Sequence, residues 1–207
     1  MGDHFKEGRK LNYFSERERA KQDRFAQWRT KVLGPIVHPL IKLRVKADHI
    51  TLTGVLLLIP YAYLFATGHL KAAAILVWVC VLFDGLDGVY ARITETDSAG
   101  GGLADAFGDQ LVAIVTTLLI IHEGLANAVW GAYYGIVYVV MIALSMVQVA
   151  LGIPLQTILR SKFILYATVG IYAFFGINLF MWIFVGFSIL MTFHSLQSFL
   201  ILKKHLS

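Results

Sequence analysis

Residues 84–109 read DGLDGVYARITETDSAGGGLADAFGD. Asp-Gly pairs mark hairpin turns in soluble proteins, yet Asp84-Gly85 and Asp87-Gly88 follow the apolar run AAAILVWVCVLF without a break. Whether this stretch turns or continues as helix decides the fold. An open hairpin leaves backbone groups unsatisfied in lipid, and the chain has a lipid-embedded composition: 57% of its 207 residues are hydrophobic and 15% charged, where soluble proteins carry about a quarter charged residues. The stretch is therefore read as two helices with a short connection. On the first, Asp84, Asp87, Gly88 and Ala91 stand at i, i+3, i+4 and i+7; on the second, Gly101, Asp105, Gly108 and Asp109 stand at i, i+4, i+7 and i+8. Each set shares one helix face.

A membrane-crossing helix needs about 20 mostly apolar residues, and six segments qualify: roughly 50–67, 72–91, 104–122, 126–153, 161–175 and 177–202. The expected fold is all-α and integral to the membrane, a six-transmembrane-helix bundle with an N-terminal interfacial amphipathic helix. Residues 1–48 form a juxtamembrane arm and 49–207 the bundle. The single cysteine, Cys80, lies inside the second segment and excludes an intramolecular disulfide. No short apolar core follows the N-terminal charges, so the first hydrophobic span is expected to be the first mature helix rather than a signal peptide.

Of the 18 Lys and Arg, 12 precede residue 49, and Arg92, Arg160, Lys162, Lys203 and Lys204 fall on the same side of the expected bundle, leaving Lys71 opposite. The positive-inside rule then places both termini and the second and fourth connections in the cytoplasm. A net charge of +5 suits contact with anionic headgroups. Nucleic acid, the other partner of basic arms, is not expected, because no groove-reading or RNA-binding motif is present. Within the arm, Ser15 and Glu18 have capping-box spacing, predicting a helix that stops near Gly34 and Pro35. Phe25, Trp28, Val32, Ile36, Leu40 and Leu43 recur at helical steps among basic residues, as on helices lying in an interface. A solvated tail is the plainer reading of residues 1–20.

Four carboxylates near the ends of two antiparallel helices repel each other, and each intramembrane charge costs at least about 2.5 kcal/mol on insertion scales. Divalent cations answer both problems. A set of hard oxygen donors suits magnesium, manganese or calcium better than zinc. Gly88, Gly101 and Gly108 let a ligand or a neighbouring helix approach the backbone. The plainer reading, acids that cap helices and glycines that only pack, accounts for one acid per helix and not for two on a face.

The pattern Asp84-x2-Asp87-Gly88-x2-Ala91-Arg92-x8-Gly101-x3-Asp105-x3-Asp109 resembles the signature of the CDP-alcohol phosphotransferase family, with every fixed position filled. The six segments, the preceding interfacial helix and the entrance ADHITLTG are similar to that family too. The resemblance implies transfer of a phosphoalcohol from a CDP-linked donor to an acceptor hydroxyl with release of CMP, in a homodimer embedded in membrane lipid. It implies that Asp84, Asp87 and Asp105 hold one or two divalent ions, Mg2+ or Mn2+, with Asp109 completing the second site and acting as base. It also implies nucleotide contacts by Gly88, Ala91 and Arg92, with Gly101 giving room beside them, although Arg92 has a plainer reading as a positive-inside anchor. Asp48 and Thr51 read first as a helix N-cap; the resemblance adds a cytidine contact by Asp48.

The acceptor is less determined. LVWVCVLFDGLDG and Asp48 resemble family members that make phosphatidylinositol phosphate, but those carry basic residues on the fourth helix, where this chain reads SMVQVALGIP. Only Arg160 and Lys162 remain to hold an anionic acceptor, and both also read as positive-inside anchors. An uncharged alcohol, or diacylglycerol receiving phosphocholine or phosphoethanolamine from CDP-choline or CDP-ethanolamine, stands beside the phosphorylated polyol. Rival readings are a prenyltransferase, whose acidic motifs are spaced differently, and a non-catalytic metal-binding or cation-transport protein, which predicts acids spread across the membrane depth. Glu95 and Asp97 read as loop acids, His122 and Glu123 as remote from the chemistry, and Trp130, Tyr133 and Tyr134 as an interfacial belt.

Overall fold

The computed structural model describes residues 16–43, 45, 47–96, 99–153 and 161–206, with the side chains of 16–26, Asp48 and Ala99 outside the description. Eight helices follow in order: α1 (Glu16–Lys42), α2 (Ala47–Leu56), α3 (Leu58–Ala66), α4 (Leu70–Ile93), α5 (Ala99–His122), α6 (Ala128–Ala150), α7 (Ser161–Phe175) and α8 (Phe180–Leu206). No strand occurs among the described residues. Five stretches are long and apolar enough to cross a membrane: His49–Ala66, covering α2 and α3, and four more within α4, α5, α6 and α8. The expected fifth segment is present as α7, but its 15 residues make only about 22 Å of helix against a hydrocarbon core of about 30 Å.

The first span is interrupted at Leu57, between α2 and α3. Pro60 explains the position: it has no N–H for the Leu56 carbonyl, and its ring crowds that oxygen. Leu57 N–H to the Thr53 carbonyl (3.0 Å) and Tyr61 N–H to the Leu57 carbonyl (3.1 Å) carry the ladder across.

The predicted stop at Gly34 and Pro35 does not occur. Helix α1 runs through Pro35 and Pro39 to Lys42, because tertiary packing outweighs the missing backbone bonds. Leu33, Val37, Leu40 and Ile41 form one stripe packed with Leu86, Val89 and Tyr90 of α4. Leu33 comes so close that a Cβ at Gly85 would meet its Cδ1 at 3.1 Å. Leu40, expected on the interfacial stripe, faces this core, while Trp28, Val32 and Ile36 remain exposed. The Ser15–Glu18 capping box and the Phe25 side chain lie outside the described residues.

The main core lies between α3, α4, α5, α6, α7 and α8, where Tyr61, Phe65, Tyr134, Tyr166, Phe180 and Phe184 are fully buried. Two of its hydroxyls bond across helices: Tyr61 donates to Thr116 Oγ1 (3.1 Å) and Tyr134 to Ser161 Oγ (3.2 Å). Tyr134 thus belongs to the core rather than to an interfacial belt, stacked with Tyr138 and tilted against Phe184. Tyr133, one residue away and therefore turned outward, is exposed and shares a hydrogen bond with Thr192.

Helix α6 passes between α5 and α8 at Gly131, where an added Cβ would lie 2.7 Å from Ile121 and 3.2 Å from Phe184. Gly131→Leu should therefore destabilise the bundle by about 1–3 kcal/mol, read as a lower thermal midpoint in detergent. Gly135→Leu, whose Cβ meets nothing within 4 Å, should stay within about 0.5 kcal/mol of the parent.

Candidate functional site

The turn-or-helix question at residues 84–109 resolves as helix: Asp84 and Asp87 lie in α4, Asp105 and Asp109 in α5, with the connection between them. The two faces meet in one cleft that Thr51 of α2 and Tyr166 of α7 also line. Carboxylate oxygens of Asp84, Asp105 and Asp109 all lie within 4.8 Å of one another. No Cys or His joins this group, although the buried Cys80 lines the same cleft.

Asp87 stands apart from that triad while lining the cleft. It is 7% exposed, and Thr51 Oγ1 donates to its Oδ2 at 2.6 Å. Thr51 also donates to the Ala47 carbonyl (3.3 Å), so it is a residue inside α2 that ties α2 to α4 and not half of an N-cap. Helix α2 starts at Ala47, which places Asp48 in the first turn; its side chain lies outside the described residues. Close approach of α2 to α4 needs Gly54, where a Cβ would meet that of Phe83 at 3.2 Å.

Lys162 was read as an acceptor-binding cation. It stands in the first turn of α7, buried, with its ammonium in contact with Asp109 Oδ2, 3.7 Å from Asp84 Oδ2 and 5.0 Å from the Phe163 ring centroid. The carboxylate cluster demands positive charge, and here a side chain of the protein supplies it. That demand and the all-oxygen donor set fit a hard divalent cation. Arg160 and Asp97 lie outside the described residues.

Gly88, Ala91 and Arg92 continue along α4 beyond the aspartates, and Gly101 lies at the exposed start of α5. Gly88 faces two guanidinium groups: a Cβ there would lie 3.2 Å from Nη2 of Arg29, on α1, and 3.6 Å from Nη1 of Arg92. His122 and Glu123 stand 4.0 Å apart at the far end of α5, and Glu95 is exposed. No local pattern marks Arg29, ties Thr51 to Asp87 or brings Lys162 to the acids; these contacts appear only in the fold. The available signal was a hydroxyl residue in ADHITLTG beside an unpaired acidic face.

The family model for CDP-alcohol phosphatidyltransferase matches residues 44–196. A phosphatidylinositol phosphate synthase of Mycobacteroides abscessus is 29% identical over 106 residues, 51% of this chain and 44% of that protein. One of Mycobacterium bovis is 34% identical over 82 residues, 39% of this chain and 38% of that protein. The chain thus spans less than half the length of these curated relatives. The crystal structure of the Mycobacterium tuberculosis phosphatidylinositol phosphate synthase with CDP-DAG bound superposes with a TM-score of 0.64 at 23% identity, covering 81% of this chain and 89% of that one. The same protein in complex with manganese and citrate gives 0.62 at 24% identity, covering 79% and 83%. These likenesses establish a shared fold.

Removing the Lys162 charge leaves the half-buried carboxylates of Asp84 and Asp109 facing one another and the exposed Asp105. Lys162→Met should cost about 1–2 kcal/mol in chelator, since the carboxylates it leaves are only partly screened by solvent. Adding Mn2+ should restore most of the thermal midpoint in detergent; a variant as stable in chelator as the parent would show that the ion pair contributes nothing.

Proposed function

The chain belongs to the CDP-alcohol phosphatidyltransferase family, and from that premise we propose a metal-dependent enzyme of phospholipid synthesis that moves a phosphoalcohol group from a CDP-linked donor to an acceptor hydroxyl, releasing CMP. The observation that carries this reading is the convergence of Asp84, Asp105 and Asp109 oxygens within 4.8 Å, one helical turn from Asp87 and Gly88 and two from Arg92 on α4. A cation-transport protein would need acids spread through the membrane depth; these stand together at one level of α4 and α5.

In the proposed reaction the acceptor oxygen attacks the phosphorus that bears the transferred alcohol. The bond from that phosphorus to the CMP oxygen breaks, and the acceptor proton passes to the protein. Asp109 is the base. Its carboxylate is held by Lys162, which would steady it for the acceptor and balance its charge. One or two divalent cations, magnesium or manganese, held by Asp84, Asp105 and Asp109 with Asp87 as a further ligand, would neutralise the diphosphate and stabilise the attacking and leaving oxygens. Thr51 orients the Asp87 carboxylate by donating to one of its two oxygens. Gly88, Ala91 and Gly101 leave room for the cytidine, Asp48 contacts it, and Arg92 pairs with phosphate.

CDP-diacylglycerol is the preferred donor, supported by the family and by a fold neighbour solved with CDP-DAG bound. For the acceptor two readings each have support. The curated relatives are phosphatidylinositol phosphate synthases, which favours a phosphorylated polyol held by Arg160 and Lys162. Against that, α6 contains no Lys or Arg and Lys162 is engaged with Asp109, which favours an uncharged or zwitterionic alcohol, including diacylglycerol with CDP-choline or CDP-ethanolamine as donor.

The membrane arrangement belongs to the same proposal. Helix α7 serves as a sixth, short span; residues 1–48 form a cytoplasmic arm and 49–207 the bundle. Trp28, Val32 and Ile36, exposed on α1, dip into the interface, both termini and the site face the cytoplasm, and two copies associate as a homodimer.

CMP release by the purified protein with Mg2+ or Mn2+ tests the reaction. CDP-diacylglycerol is offered against inositol phosphate, glycerol 3-phosphate, serine and inositol, and CDP-choline or CDP-ethanolamine against diacylglycerol. Acceptor-dependent release is expected in one arm, and silence in all with donor binding lost would overturn the reading. Asp109→Asn should lower the transfer rate by about 10²–10⁴-fold while donor binding persists; full activity would remove Asp109 as base. In sealed cells, an N-terminal arm cut by external protease would reverse the topology.

A further inference from the structure

Helix α1 ends at Lys42, before the first residue of the family match at 44, yet one of its side chains reaches Gly88 of α4. Nη2 of Arg29 and Nη1 of Arg92 flank the same backbone position, at 3.2 and 3.6 Å from where a Gly88 Cβ would stand. The two guanidinium groups, from different helices, are therefore neighbours. Nε of Arg29 and Nε and Nη2 of Arg92 are shielded from solvent, and both residues also engage other groups of the protein. Arg29 stands near enough to Asp87 for its charge to act on that carboxylate.

Two half-buried cations beside each other repel, and the repulsion grows as water is excluded. Asp87 supplies one negative charge for the pair, and it already accepts a hydrogen bond from Thr51. An anion within reach of both guanidinium groups would offset that repulsion. Guanidinium is suited to one with several oxygens, because its planar fork meets phosphate through two parallel N–H donors. The position is also kept open: at Gly88 any side chain would crowd the end of Arg29.

We propose that Arg29 is a phosphate ligand of the CDP-linked donor, forming with Arg92 a two-armed clamp over Gly88 that grips the diphosphate, so that α1 is one wall of the binding site. This rests on the transferase reading above. Each arm takes a phosphate, so the clamp distinguishes a diphosphate from a monophosphate.

The test is calorimetric titration of CMP and CDP into the full chain in detergent with Mn2+, for the parent, Arg29→Gln and Arg29→Lys, each first shown to keep the parent's thermal midpoint within a few degrees. The expected result is that Arg29→Gln weakens CDP about tenfold or more, as loss of a charge-assisted hydrogen bond does, and CMP less than about threefold. Arg29→Lys, which keeps the charge and loses the fork, should fall between. With CDP-diacylglycerol and the acceptor found by CMP release, Arg29→Gln should raise the donor KM with kcat little changed. Equal weakening of CMP and CDP, or no weakening of either, overturns the clamp and leaves the transfer reaction standing on the parent's CMP release. A parent that binds neither nucleotide overturns both.

Discussion

Three carboxylates whose oxygens lie within 4.8 Å of each other set the terms for this molecule. Fully ionised, each pair repels by roughly 3 kcal/mol at an effective dielectric near 20, and three pairs together rival the whole stability of an ordinary domain, about 5–15 kcal/mol. The bundle is built to hold them there. Positive charge is therefore obligatory at this point of the fold, and the ammonium of Lys162 meets the need from across the bundle. The same constraint supports the proposed role of the cluster, since an all-oxygen donor set that attracts positive charge suits a hard cation.

Support for that arrangement comes from the aromatic core. Tyr134 on α6 donates to Ser161, the first residue of α7, and so fixes the helix start that carries Lys162. Tyr166, one turn further on, is buried and lines the cleft. On the other side, Thr51 and Gly54 hold α2 against α4 through a hydrogen bond to Asp87 and a close contact with Phe83. The acids are thus fixed from two directions by groups that belong to neither α4 nor α5.

Helical periodicity and apolar length made most of the bundle legible, since both are local properties of the chain. The pairing of Asp84 with Asp105 and Asp109 followed from two matching faces joined by a short connection. What escaped depended on contacts distant in sequence. Thr51 and Asp87 are 36 residues apart, and Lys162 reaches Asp109 only because α7 packs on α4. Arg29 was one of twelve basic residues in the arm, indistinguishable until α1 was placed on α4. Pro35 and Pro39 gave a true local signal that packing overrode, and Tyr134 shared an aromatic cluster with Tyr133 whose members face opposite ways.

The interruption at Leu57 bears on how the protein meets bilayers of different thickness. Mismatch between a hydrophobic span and its membrane is absorbed by tilting or bending helices, and a span yields first where its hydrogen-bond ladder is weakest. In the first span that point is the Leu56 carbonyl facing Pro60, beyond Thr51 and Gly54 and away from the acids. On one side of that point α2 keeps its grip on Asp87 through Thr51; on the other, Tyr61 and Phe65 key α3 into the aromatic core. Bending at the joint therefore pivots between two anchored halves, and the half that touches the aspartates is the one without the weakened ladder.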